Sequence, residues 1–174
     1  LANTAIVRGR LVGDSVQVYR GMDQKRRNQG VIDSRVDYMD GEITLNEMFS
    51  RMLDNNVYDV INMNSFNFVN ASYDDLFYRF PIQPEFDIAY GIIDRNEVGT
   101  LFGGFASNKR EYCVLLTESA EFYEGLVVWA FLNLMGREPT TQEVHNFYAD
   151  LAATKDFQAL QLKIMVTDEY ADFS

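Results

Sequence analysis

The pattern Arg79-x-Pro81-x-x-x-Glu85 returns 58 residues later as Arg137-x-Pro139-x-x-x-Glu143, with Leu76 and Leu134 at matching positions before each arginine. Each copy is followed at a distance by a small polar residue, a spacer, a glutamate and an aromatic. These are Ser119-Ala120-Glu121-Phe122 and Thr167-Asp168-Glu169-Tyr170. A chain that repeats itself in this way is read as one structural unit used at least twice, which constrains architecture far more than activity. From the glutamate to the closing aromatic is 37 residues in the first copy and 27 in the second. The ten extra residues fall around 96–106, where Gly99, Gly103 and Gly104 mark an exposed excursion. A degenerate third unit is expected before these two. In it Asn55-Asn56-Val57-Tyr58 stands in the place of the closing stretch, and Arg20 in the place of the arginine. The division expected is 1–62, 63–124 and 125–174, within one compact domain.

The local pattern is helical almost throughout. Residues 4–19 have moderate helical periodicity, and the polar stretch from Gly21 to Gly41 reads as a loop. Thr44-Leu45-Asn46-Glu47 fits a capping box, in which hydroxyl and carboxylate satisfy orphaned amides at a helix start. Leu45, Met48, Phe49, Met52 and Leu53 then form one apolar stripe. Further helices are expected over 57–66, 72–79, 86–94, 108–116, 120–135, 140–151 and 157–165, with a terminal turn from Asp168 to Phe173. Pro81, Pro84 and Pro139 sit where proline is tolerated, at helix starts. Gly136 can close the helix before it in the left-handed conformation. Thr140-x-x-Glu143 makes a second capping box. Sustained strand alternation is missing, so the fold class is all-α: two helical repeat units plus a partial N-terminal third.

Charge narrows the functional classes. Against 15 Lys and Arg stand 26 Asp and Glu, a formal net charge of −11. Phosphate backbones and anionic lipid attract clustered cations, so neither nucleic acid nor a membrane surface is an expected partner. The basic knot Lys25-Arg26-Arg27 is too short to reverse this and reads as a solvated loop. The longest apolar run, Leu126 to Leu132, falls well short of the roughly 20 residues that span a bilayer, and Trp129 within it reads as core. One cysteine, Cys113, excludes an internal disulfide framework. A chain starting at Leu1 without methionine or signal peptide is expected to be a trimmed product or part of something longer.

Met135-Gly136-Arg137-Glu138-Pro139-x-x-x-Glu143 followed by Thr167-x-Glu169-Tyr170-x-x-Phe173 resembles the helical linker domain of phycobilisome rod linkers. It equally resembles related modules of bacterial extracellular proteins, in which a Leu-Gly-Arg-x-Pro turn precedes a helix and a Ser-x-Glu-Tyr turn closes the unit. Asp40-Gly41-Glu42-Ile43-Thr44-x-x-Glu47-Met48 is similar to those domains' Asn-Gly-x-Ile-x-x-x-Glu-Phe segment. The resemblance covers about two thirds of the chain. It implies an α-helical module that serves assembly rather than catalysis, with other protein subunits as partners. The compartment is left open by the sequence, with a lean toward the bacterial cell envelope, periplasmic or extracellular. Phycobilisome linkers are usually basic and this chain is acidic, so the implied role is a helical scaffold rather than a pigment linker.

Other chemistry has weaker support. Asp40-Gly41-x-Ile43-x-x-x-Glu47 matches the second half of an EF-hand calcium loop, but positions one and three are Val36 and Tyr38. Asp33 and Asp37 would be the remaining oxygen donors. His145, the one histidine, and Cys113 lack ligand-type spacing. No P-loop lysine follows the glycines at 99–104, and no nucleophile elbow is present. No catalytic residue, metal ligand or cofactor is therefore expected. Arg79, Pro81, Glu85, Arg137, Pro139 and Glu143 are read as structural turn residues. Phe66, Phe68, Tyr73, Phe77, Tyr78 and Phe80 crowd into 15 residues, more than one stripe can bury, and form the candidate interface. The leading expectation is a non-enzymatic structural subunit of a larger bacterial assembly. Behind it stand a secreted or surface ligand-binding module, calcium-assisted, and an enzyme built on scattered carboxylates such as Glu47, Asp74 and Asp75.

Overall fold

The computed structural model describes residues 2–172. Eleven α-helices and one two-stranded hairpin make up the described residues, so the protein is all-α. Two compact units divide the chain, Leu1–Asn64 and Ser65–Ser174.

The first unit is led by a helical hairpin, α1 (Ala2–Val12) and α2 (Ser15–Met39). Asp14 caps α2 by accepting the Gln17 amide at 3.0 Å. The polar stretch expected as a loop from Gly21 to Gly41 is therefore helix as far as Met39, with Asp40 and Gly41 in the turn that follows. It lacks an apolar stripe long enough to announce itself, yet it contains no proline and is rich in Arg, Gln and Met, which are good helix formers. Pairs one turn apart support it: Arg26–Asp23 at 2.9 Å, Arg27–Asp23 at 3.0 Å and Gln29–Asp33 at 2.9 Å. The Lys25-Arg26-Arg27 knot belongs to this helix, and Arg27 reaches across to Asp54 at 3.1 Å. Two short helices complete the unit, α3 (Leu45–Leu53) and α4 (Asn56–Asn62). Leu45, Met48 and Leu53 of the expected stripe are buried, while Met52 is exposed. Only half of the capping box forms at α3: Thr44 accepts the Glu47 amide, but Glu47 turns its carboxylate to Arg51.

The second unit begins with α5 (Ser65–Phe77) and α6 (Gln83–Arg95). A hairpin follows, β1 (Gly99–Leu101) antiparallel to β2 (Gly104–Ala106), with Thr100 opposite Phe105. This is the excursion expected at 96–106, but it is a strand pair with Leu101 and Ala106 buried beneath it. Next come α7 (Lys109–Glu118), α8 (Ala120–Met135), α9 (Thr141–Thr154), α10 (Phe157–Met165) and α11 (Asp168–Ala171). Phe173, placed by sequence in the terminal turn, lies outside the described residues.

Helix α8 is the centre of this unit, packing against α5, α7, α9 and α10. The division expected between 124 and 125 falls inside it. Phe122, Val127 and Ala130 are fully buried, joined by Tyr73, Ile92, Tyr112, Leu116 and Ile164 from the surrounding helices. Burying a side chain such as Phe122 contributes about 2–3 kcal/mol. The close approach of α5 to α8 depends on Gly125, where a Cβ would lie 1.9 Å from the Leu76 carbonyl oxygen. Trp129 is not core. It is 40% exposed at the edge of α8, with its ring 5.5 Å from that of Phe157.

Candidate interaction site

The second unit carries two arginine-centred joints with the same atomic plan. Arg79 follows α5, and its side chain turns back toward the start of α6. Nη1 and Nη2 donate to the two Glu85 oxygens at 2.7 and 2.8 Å. Nε and Nη2 donate to Glu121 at 2.9 and 3.0 Å, and Nη1 also donates to the Phe80 carbonyl at 3.2 Å. Arg137 repeats every one of these bonds. Its partners are Glu143 at 3.0 and 2.7 Å, Glu169 at 2.7 and 2.6 Å, and the Glu138 carbonyl at 2.9 Å. A guanidinium has five N–H donors, and in both joints all five are used within the chain.

The helix starts around the joints also correspond. Glu85 accepts the Ile82 amide and Glu143 the Thr140 amide. Thr140 returns a bond to the Glu143 amide, completing its capping box, while isoleucine has no acceptor to offer. Ser119 donates to the Leu116 carbonyl and accepts the Phe122 amide. Thr167 does the same with Ile164 and Tyr170. Beneath each arginine lies the aromatic six residues before it, Tyr73 at 5.1 Å and Phe131 at 5.2 Å.

Hydrogen bonding from the arginines sets the electrostatics. The Arg137 guanidinium holds the Glu143 carboxyl down to about 2, and Arg79 holds Glu85 below the usual carboxylate range. Glu169 is lowered by its bonds to Arg137. Burial pushes the Tyr73 phenol up. Its hydroxyl is buried with no hydrogen-bond partner among the described residues.

In the first unit Asn55 plays the part of Ser119, donating to the Met52 carbonyl and accepting the Tyr58 amide. Arg20, however, is an exposed residue within α2 and not at a turn. The arginines that tie this unit together are Arg27, paired with Asp54 and Asp59, and Arg51, paired with Asp37 and Glu47. Sequence spacing shows only the pair each makes one turn away, Arg27 with Asp23 and Arg51 with Glu47. The partners that tie the unit together, Asp54, Asp59 and Asp37, lie on other helices or turns. The EF-hand-like segment is a helix end and a helix start: Val36 and Tyr38 belong to α2, and Arg51 joins Asp37 to Glu47. Among the described residues no three His, Cys, Asp or Glu side chains converge in a way that could hold a metal ion. His145 is exposed and Cys113 buried. Glu47 lies in the first unit, Asp74 and Asp75 in the second.

The six aromatics of the candidate interface divide equally. Phe68, Tyr73 and Phe77 are core residues of the second unit, with Tyr73 and Phe77 in edge-to-face contact at 5.1 Å. Phe66, Tyr78 and Phe80 face outward, Phe66 with one side against Phe86 at 5.0 Å. Ile82, which the aromatic count passes over, is exposed two residues after Phe80. No described helix is long and apolar enough to cross a membrane. Neither protein-family models, nor curated proteins, nor solved structures provide a match to this chain.

Proposed function

We propose that this protein is a non-enzymatic structural subunit of a larger bacterial assembly, built from helical repeat units and docking through aromatic side chains. The observation that carries the reading is the exposure of Tyr78 and Phe80 just after α5, with Phe66 exposed at the other end of that helix. Large apolar groups left in water beside a rigid joint are what a protein–protein contact uses. The joints themselves favour a structural role, because neither guanidinium keeps a donor for a substrate. The resemblance to phycobilisome-linker-type domains and to modules of bacterial extracellular proteins points the same way.

The test is the size of the particle that contains the protein in its native cells. Gel filtration of a gentle extract, with the chain followed by antibody, should place it well ahead of the purified 20.0 kDa chain. Elution at the same volume as the purified chain refutes the reading.

A further inference from the structure

The two joints control for each other. At the three positions of the second joint that correspond to Tyr78, Phe80 and Ile82 stand Gly136, Glu138 and Thr140. These are the residue types expected of a solvent-facing turn. In the first joint the same positions are large and apolar, yet 42, 65 and 62% exposed. Tyr78 even occupies the left-handed conformation that glycine takes in the other copy, φ 55° against 65° at Gly136. A tyrosine there costs about 1 kcal/mol that glycine avoids. Around the triplet the surface is acidic. Residues 65–174 carry seven Lys and Arg against 17 Asp and Glu, and Asp74 and Asp75 occupy the exposed last turn of α5. The matching residues before the second joint are Leu132 and Asn133.

A surface of complementary character lies on α2. Met22, Lys25, Gln29, Ile32, Val36 and Met39 follow one another at alternating three- and four-residue steps, and all are exposed. Such spacing puts all six on one face, about 26 Å long, with apolar groups at Met22 and from Ile32 to Met39 and the polar Lys25 and Gln29 between them. The α1–α2 hairpin is the basic part of this acidic chain, with seven Lys and Arg against four Asp in residues 2–39.

We propose that the apolar, acid-fringed turn between α5 and α6 binds the α2 stripe of a second copy of this chain, head to tail. The proposal rests on the assembly reading above and names this chain as its own partner. Charge decides against stripe-to-stripe pairing, which would set one basic hairpin against another. A head-to-tail contact leaves one free turn and one free stripe on every dimer, so it extends into a chain or closes into a ring.

Sedimentation velocity on the full chain tests this. The wild-type mass should rise with concentration above 20.0 kDa, and association should weaken about tenfold between low and high salt. A turn variant, Phe80→Glu with Ile82→Glu, and a stripe variant, Ile32→Glu with Val36→Glu, change exposed positions only. Each should keep the wild-type helical signal and remain a monomer. An equimolar mixture of the two should form a two-chain species and nothing larger, since only one good pair of surfaces remains. A monomeric wild type, a variant that associates like the wild type, or a mixture that stays monomeric overturns the proposal. A monomeric purified chain that still elutes in a large particle from native cells overturns this pairing alone and leaves the assembly reading in place.

Discussion

Replacing Arg79 by alanine removes five hydrogen bonds and a cation from the face of Tyr73 in one step. It also leaves the Glu85 and Glu121 carboxylates close together without the charge that holds them. The Arg79 side chain is 34% exposed, between the two well-known limits. A fully exposed ion pair contributes at most about 1 kcal/mol, and breaking a buried one costs about 3–5 kcal/mol. The expected loss is therefore about 2–3 kcal/mol. Arg79→Lys should lose about half as much, because one ammonium cannot fork to two carboxylates and a carbonyl. Adding Glu121→Gln to Arg79→Ala should recover part of the loss by removing the repulsion. Urea unfolding at neutral pH, followed through Trp129, measures this directly. That residue is the one tryptophan and lies in the second unit, so its fluorescence reports the unit that holds the joint. A loss below about 0.5 kcal/mol for Arg79→Ala, or a lysine variant equal to wild type, refutes the view that the forked geometry holds the turn.

Acid should act on the same joints. Glu143 falls from its ordinary 4.5 to about 2 in the folded protein, so its contribution is complete above about pH 4.5 and is lost as pH falls through about 2. After screening this is about 1–2 kcal/mol, visible as a falling thermal midpoint that Glu143→Gln flattens. Tyr73→Phe deletes a buried hydroxyl that has no partner among the described residues and should leave stability unchanged or raise it by up to about 1 kcal/mol. A clear loss on calorimetry would show that the hydroxyl is satisfied in solution. Gly125→Ala should cost more than about 3 kcal/mol, because backbone must move where its methyl meets the Leu76 carbonyl. A soluble variant with an unchanged melting temperature would contradict the packing of α5 on α8.

Short-range chemistry in this chain is legible from its letters. The positions of α6, α8, α9 and α10 follow from proline, capping residues and apolar spacing, because each signal acts within one helical turn. The Arg–Glu pair six residues apart is legible in each joint because it is nearly local, and its recurrence announces two equivalent joints. Glu121 and Glu169 join them from 42 and 32 residues away. What stayed hidden either lacked an apolar pattern or depended on neighbours distant in sequence. Helix α2 looks like a loop, since its polar residues are stabilised by pairs along the helix and by contact with α1 rather than by an apolar run. Arg27 and Arg51 gain their meaning only when Asp54, Asp59 and Asp37 are brought to them. The six aromatics of the candidate interface are alike in sequence, and burial alone separates Phe68, Tyr73 and Phe77 from Phe66, Tyr78 and Phe80. Composition determined that the protein is helical and acidic, and spacing determined where its joints lie. Which aromatics are core and which meet the outside was decided by tertiary packing, because facing inward is a property of the neighbours a side chain finds and not of the side chain itself.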